Sequence, residues 1–175
     1  MEDVNIIIGR FQPFTNGHLK CCKEALKKHG LRTVLLVIET TKQDERHPFL
    51  TTTIMPSLKR LPKDIIADVL LVKNANIVNN APACIEAGFQ PKTWTCGTDR
   101  YADYKKMASK YGDEADLPED FEVVEVKRKD DDVSATQVRK AIKEGDQELF
   151  EELVPKQLWT LYYRLKKDIE EVMPE

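Results

Sequence analysis

Glycine is scarce, with seven in 175 residues, and none of them builds a Gly-x-Gly-x-x-Gly or a Gly-x-x-x-x-Gly-Lys-Ser/Thr stretch. Neither the dinucleotide fingerprint nor the P-loop cradle is therefore present. The four cysteines contain no Cys-x-x-Cys pair: Cys21 and Cys22 adjoin, while Cys84 and Cys96 stand alone. His18, His29 and His47 show no ligand spacing. A zinc site is thus not indicated, and partly buried reduced thiols are expected, with no metal ligands among the side chains. No apolar run is longer than Val34–Ile38, far short of the roughly 20 residues of a spanning helix. The start Met1-Glu2-Asp3-Val4-Asn5 is acidic and unlike a signal peptide, so a cytoplasmic setting without a membrane partner is expected. Basic excess is also lacking: Lys plus Arg number 27 against 30 Asp plus Glu, a formal charge of −3. Sequence-independent nucleic-acid binding runs on the opposite balance, so no nucleic-acid partner is expected.

What remains is an ordinary globular composition, 41% hydrophobic and 33% charged, in a chain long enough for one domain with a real core. Five short apolar runs read as strands: Val4–Ile8, Thr33–Glu39, Asp68–Lys73, Lys92–Cys96 and Phe121–Val126. They are nearly continuous rather than alternating, as in sheets covered on both faces. Helical patterns lie between them at Asn16–His29, Thr53–Leu61 with Pro56 in its first turn, Asn80–Ala87 and Asp99–Tyr111. This alternation predicts an α/β fold: a Rossmann-like parallel sheet of about five strands, helices on both faces, and a C-terminal helical segment. The core is expected over about 1–143 and the C-terminal helices over 146–172 of a single domain 1–175. A helix opened by Pro155 carries the stripe Leu158, Tyr162, Leu165, Ile169 and Val172. Packing is the ordinary reading of such a stripe, and a homo-oligomer interface is the alternative. Core packing is likewise expected for both Trp94 and Trp159. Asp113–Asp120 reads as a surface loop, and Lys127–Asp132 as a loop beside the last motif described below.

The richest stretch is Gly9-Arg10-Phe11-Gln12-Pro13-Phe14-Thr15-Asn16-Gly17-His18. It follows the first strand and opens the first helix, where α/β folds bind ligands. Gly9 and Gly17 permit close backbone approach, and Thr15 can cap the helix. His18 then falls in the first turn, among free N–H groups that attract phosphate. A structural histidine at a helix start is the plain alternative. Far downstream, Val133-Ser134-Ala135-Thr136-Gln137-Val138-Arg139 fits a capping box, and Arg139 could grip a phosphate through paired hydrogen bonds.

The first run resembles the Thr/His-x-Gly-His signature of the nucleotidyltransferase superfamily, and Gly-Arg-Phe-Gln-Pro-Phe resembles most closely its archaeal-type nicotinamide-mononucleotide adenylyltransferases. Those usually carry a second histidine where Thr15 stands; the threonine form is common in phosphopantetheine adenylyltransferases and cytidylyltransferases. The second run resembles Ile-Ser-Ser-Thr-x-x-Arg, with Ala135 in place of one serine. The archaeal-type enzymes commonly place a tryptophan after the third strand, where this chain has Ile77–Pro82 and none. Gly97-Thr98-Asp99-Arg100 resembles a Gly-x-Asp-Arg segment that lies beside the nucleotide in several members; the alternative is an Asp99 helix cap with Arg100 exposed. Lys42 resembles a phosphate-contacting lysine of phosphopantetheine-type members, or is simply an exposed loop lysine, and Arg46 is a further candidate. Lys106-Met107-Ala108-Ser109-Lys110 looks like a synthetase loop, but it sits in a helical pattern.

The resemblance implies adenylyl transfer from ATP, with Mg²⁺ arriving on the nucleotide, to a small phosphorylated acceptor, with nicotinamide mononucleotide preferred. Phosphopantetheine, or CTP with a phosphorylated alcohol, are alternatives, as is a sensor that binds nucleotide without turnover. It further implies that Thr15, His18, Lys42 and Arg139 act on the phosphates. Gly9, Arg10, Phe11, Gly17, Gly97, Asp99, Arg100, Val133, Ser134 and Thr136 would surround the nucleotide.

Overall fold

The computed structural model describes residues 1–127, 129 and 132–174. Most of the expected loop at 128–132 lies outside the described residues. The elements run β1 (Glu2–Gly9), α1 (Asn16–His29), β2 (Arg32–Ile38), α2 (Thr51–Leu58), β3 (Ile66–Val72), α3 (Ile77–Glu86), β4 (Phe89–Gly97), α4 (Thr98–Tyr111), β5 (Glu122–Val126), α5 (Ala135–Glu144) and α6 (Gln147–Leu153). A 3₁₀ helix (Lys156–Leu161) and α7 (Tyr162–Val172) complete them. They cluster into two compact units.

The first unit takes residues 1–9, 21–38 and 63–130. Its sheet has the order β3-β2-β1-β4-β5, and every pairing is parallel. The order reverses between β3 and β4, as in a doubly wound α/β sheet. On one face Val4, Ile6, Val34, Leu36 and Trp94 pack with Ile77, Ala81 and Cys84 of α3 and Tyr104 of α4. Trp94 is fully buried as expected, and its ring stacks on Tyr104 with centroids 3.9 Å apart. Burying each large side chain contributes about 1.5–3 kcal/mol. Alternate positions serve the other face, where the thiol of Cys22 on α1 meets the Thr33 hydroxyl. Asn5 is a fully buried polar hub there. Its amide nitrogen donates to Thr33 (3.1 Å), and its oxygen accepts from the hydroxyls of Thr93 (2.7 Å) and Thr95 (2.8 Å). The hub ties β2, β1 and β4 together with every polar atom matched. None of the four cysteines forms a disulfide.

The second unit takes residues 10–20, 39–62 and 131–175. Its α5 packs on α6 and α7, and the 3₁₀ helix on α2 and α7. Phe14, Phe49, Ile54, Phe150, Leu158 and Ile169 are fully buried within it. Gly145 closes α5 in the left-handed conformation, φ 77°, where a side chain would be strained.

Four local expectations need correction. The second helix begins at Thr51 because Thr40 and Thr51 bond reciprocally there, so Pro56 falls inside the helix rather than in its first turn. The third begins at Ile77, capped by the Asn76 side chain, which accepts from the Val78 N–H at 3.0 Å. The segment after Pro155 is a 3₁₀ helix followed by an α-helix, although Leu158, Tyr162, Leu165 and Ile169 are all buried, consistent with packing. Trp159 is not core: it is 43% exposed. Its indole N–H donates to the carbonyls of Glu151 (3.0 Å) and Val154 (3.3 Å), satisfying acceptors at the end of α6 that the helix leaves open.

Candidate functional site

The turn leaving β1 is built to hold one histidine. Thr15 caps α1: its hydroxyl oxygen accepts from the N–H of Gly17 (3.1 Å) and of His18 (3.4 Å). In return the backbone N–H of Thr15 donates to His18 Nδ1 at 2.9 Å. The Thr15 hydroxyl lies 3.2 Å from the same nitrogen and has its own proton to give there. This is a capping box with histidine in the place of the usual Glu or Gln. With Nδ1 committed as an acceptor, the neutral ring carries its proton on Nε2. The imidazole stacks on Phe14 (5.2 Å, 27°) and meets Phe11 edge-on (5.2 Å, 74°). Phe11 itself is held at φ 52°, an uncommon conformation for a bulky residue and a sign of local strain. The Gln12–Pro13 peptide is cis.

The second motif meets the first inside the same unit. Ser134 caps α5 through the expected box: its side chain accepts from the Gln137 N–H (3.2 Å), and the Gln137 side chain accepts from the Ser134 N–H (2.9 Å). A Cβ on Gly17 would lie 2.6 Å from the Val133 carbonyl oxygen, so only glycine lets the two helix starts approach this closely. Arg139 Nη1 donates to the Gln12 carbonyl (2.7 Å) and Nη2 to the Thr136 hydroxyl (3.3 Å). Burial, and then the like charge of Arg46, hold the Arg139 pKa below the ordinary guanidinium value. It remains charged at neutral pH. Two helix N-termini, Arg139 and Arg46 thus form one electropositive region, a setting for a polyanion.

Beside it runs the segment 39–50, which carries Lys42 and Arg46, both exposed. Arg10 Nη1 donates to the Glu39 carbonyl (3.0 Å) and the Thr40 hydroxyl (3.3 Å). In this structure Arg10 holds a loop, and Phe11 walls the histidine. Gly9 ends β1, paired with Val37. The sequence did not single out Gln12, yet its side chain makes three hydrogen bonds to residues outside the turn. Its amide nitrogen donates to the Phe49 carbonyl (2.9 Å) and reaches the Thr40 hydroxyl (3.5 Å), and its oxygen accepts from the Phe49 N–H (2.9 Å). The available signal was a polar amide inside the apolar run Phe11–Phe14, which has to find partners when buried.

Gly97, Asp99 and Arg100 belong to the first unit and are exposed at the start of α4. The helix cap is Gly97 and not Asp99, which lies in the first turn. The synthetase-like stretch Lys106–Lys110 is helical, within α4. Among the described residues no three His, Cys, Asp or Glu gather to hold a metal ion, and no helix is long and apolar enough to cross a membrane. The donor set at the two helix starts consists of N–H groups, hydroxyls and guanidinium groups. It fits the phosphates of a metal–nucleotide complex rather than a metal cage of its own.

A sequence model of the cytidylyltransferase-like family matches residues 6–141, from β1 through both motifs. The chain belongs to the cytidylyltransferase-like family. No curated protein matches this family member by sequence. Among solved structures it is similar to a bifunctional NMN adenylyltransferase/ADP ribose pyrophosphatase from Francisella tularensis, with 14% identity over 98% of this chain and 52% of that one, TM-score 0.62. It is also similar to Thermotoga maritima TmcAL bound with alpha-thio ATP, at 13% identity, 94% and 56% coverage and TM-score 0.61. The chain spans about half the length of each of these. A third similar structure is the Plasmodium falciparum nicotinic acid mononucleotide adenylyltransferase complexed with APC, at 13% identity, 100% coverage of both chains and TM-score 0.58. At these identities the likeness is one of fold, and it agrees with the doubly wound sheet of this cytidylyltransferase-like family member.

Proposed function

We propose that this chain transfers an adenylyl group from ATP to a small phosphorylated acceptor, nicotinamide mononucleotide being preferred, and releases pyrophosphate. The observation that carries the reading is the meeting of the two motifs, with Gly17 against the Val133 carbonyl and Arg139 on the Gln12 carbonyl. In the proposed reaction an acceptor phosphate oxygen attacks the α-phosphorus in line. The bond from the α-phosphorus to the bridging oxygen breaks, and that oxygen leaves with pyrophosphate. The acceptor is already anionic, so no protein nucleophile is required. Catalysis is positioning and charge stabilisation. His18, with its proton on Nε2, and Thr15 would hold α- and β-phosphate oxygens. Ser134, Thr136 and Arg139 would hold the β- and γ-phosphates, and Lys42 would bridge donor and acceptor. Mg²⁺ carried by the triphosphate would supply further charge neutralisation. The part of Gly97, Asp99 and Arg100 rests on the motif resemblance alone. Four thiols outside any disulfide fit a reducing, cytoplasmic setting.

The acceptor preference is supported by the wording of the first motif and by the fold shared with mononucleotide adenylyltransferases. Thr15 favours a second reading, a phosphopantetheine acceptor or a CTP donor. The test is pyrophosphate release with ATP or CTP against nicotinamide mononucleotide, phosphopantetheine and glycerol 3-phosphate, for wild type and His18→Ala. Release from one pair is expected, and the variant should lose about 10²–10³ in rate. ATP binding without release from any pair would instead mark a nucleotide sensor, and turnover unchanged in the variant would overturn the mechanism.

A further inference from the structure

Gln12 sits where the turn after β1 meets the 39–50 segment and Arg139: its side-chain amide bonds the segment and its backbone carbonyl accepts from the guanidinium. Only 4% of its surface is exposed. Its side-chain amide pairs with both backbone groups of Phe49, each bond 2.9 Å long, as one strand residue pairs with another. The same amide nitrogen reaches the Thr40 hydroxyl, and the Gln12 carbonyl receives Arg139 at 2.7 Å.

Thr40 and Phe49 flank the segment that carries Lys42 and Arg46. The two ends of that segment are closed on each other: the Thr40 N–H donates to the Thr51 hydroxyl (2.6 Å), and the Thr51 N–H donates to the Thr40 carbonyl (3.1 Å). Inside it, Gln43 donates to the Pro48 carbonyl (2.8 Å), and Asp44 Oδ1 accepts the N–H groups of Arg46 (3.0 Å) and His47 (2.7 Å). The segment is a compact loop ordered by its own side chains, of the kind that often carries function. It reaches the turn after β1 through Arg10 at one end and Gln12 at both.

We propose that Gln12 is a positioning residue that sets the loop cations Lys42 and Arg46 in register with Arg139 around a bound polyphosphate. The idea rests on the nucleotidyl-transfer reading only in identifying that anion as a triphosphate. A side chain that merely filled space could be apolar. Gln12 instead spends its whole amide on the loop, and its own backbone carbonyl is the acceptor that orients the guanidinium. Neither cationic element touches the other through a hydrogen bond of its own among the described residues, and Gln12 is the residue bonded to both.

The test is binding of inorganic tripolyphosphate by calorimetry, with melting curves to establish folding, for wild type, Gln12→Met, the pair Lys42→Ala/Arg46→Ala, and the triple variant. Gln12→Met keeps the shape and removes the amide. It is expected to weaken tripolyphosphate about tenfold, as the misplacement of one cation–phosphate contact would. In the background lacking Lys42 and Arg46 the same change should have little further effect, because the groups it positions are gone. Adenosine affinity should not move in any variant. An equal loss in both backgrounds, or none in either, overturns the proposal. Gln12→Asn takes the place of Gln12→Met in the cycle if the latter does not fold. If neither folds, the role is structural and the proposal falls. Wild type that does not bind tripolyphosphate would sink the phosphate-site reading itself, which separates the two failures.

Discussion

Replacing Gly17 by alanine adds one methyl group at the point where the two motifs touch. That Cβ would lie 2.6 Å from the Val133 carbonyl oxygen and 3.3 Å from the Thr15 hydroxyl, about 0.8 Å inside the 3.4 Å where ordinary contact with the carbonyl begins. The carbonyl is backbone and directly precedes the Ser134 cap, so relief requires α1 and α5 to part. Overpacking of this kind costs about 1–3 kcal/mol. Alanine returns about 1 kcal/mol of helix propensity. The net loss is then about 0–2 kcal/mol, or about 0–8 °C in Tm for a chain of this length. The effect on turnover should be far larger, since displacing a positioning element by about 1 Å costs about 10²-fold in rate. The assay is pyrophosphate release from the productive substrate pair beside a melting curve. A folded Gly17→Ala protein with wild-type turnover would refute the reasoning, because the two helix starts could then separate without consequence.

Other consequences follow from buried polar groups and thiols. Asn5→Leu strands the hydroxyls of Thr33, Thr93 and Thr95 in the sheet; about 3 kcal/mol of stability should be lost in denaturant melts, and a change near zero would show that the hub is dispensable. Asp168 is 5% exposed, and its Oδ2 has no hydrogen-bond partner among the described residues. Burial raises its pKa, opposed by Arg164. A carboxyl raised in the folded state is most favourable when protonated, so its contribution declines as pH climbs from the unfolded value of about 4. Asp168→Asn should flatten the Tm profile between pH 4 and 7 and be as stable as wild type at pH 7; a less stable variant there would contradict this. Burial pushes the thiols of Cys22 and Cys84 up to about 12 and that of Cys96 to about 11. Iodoacetamide at pH 8 should leave all three unlabelled in native protein and label them after unfolding, as read by peptide mass, because the thiolate is the reactive form.

Local signals carried a good deal of this protein. The five β-branched and apolar runs are strands within a residue or a few at their ends, because sustained runs of that kind bury both faces of a parallel sheet. Both helix starts of the site were legible for the same reason: a cap joins residues three apart, Thr15 to His18 and Ser134 to Gln137. Signals failed where a local pattern admits two outcomes. Pro56 is compatible with a first turn or an interior position, and the reciprocal bonding of Thr40 with Thr51 chose between them. Trp159 flanks the apolar stripe, but its N–H had carbonyl acceptors at the surface. Asp99 is a common capping type, yet the chain turns into α4 one residue after Gly97.

The amino-acid sequence by itself determined the strands, the order of the elements along the chain and the two capped helix starts, all settled by neighbours within a few residues. Only the tertiary structure decided how the site is assembled. Gln12 finds Thr40 and Phe49 at separations of 28 and 37 residues, and Arg139 finds the Gln12 carbonyl across 127. Bonds of that span are specified by packing rather than by local preference. A buried amide or guanidinium must be matched, and which partner matches it depends on where the folded chain brings the acceptors.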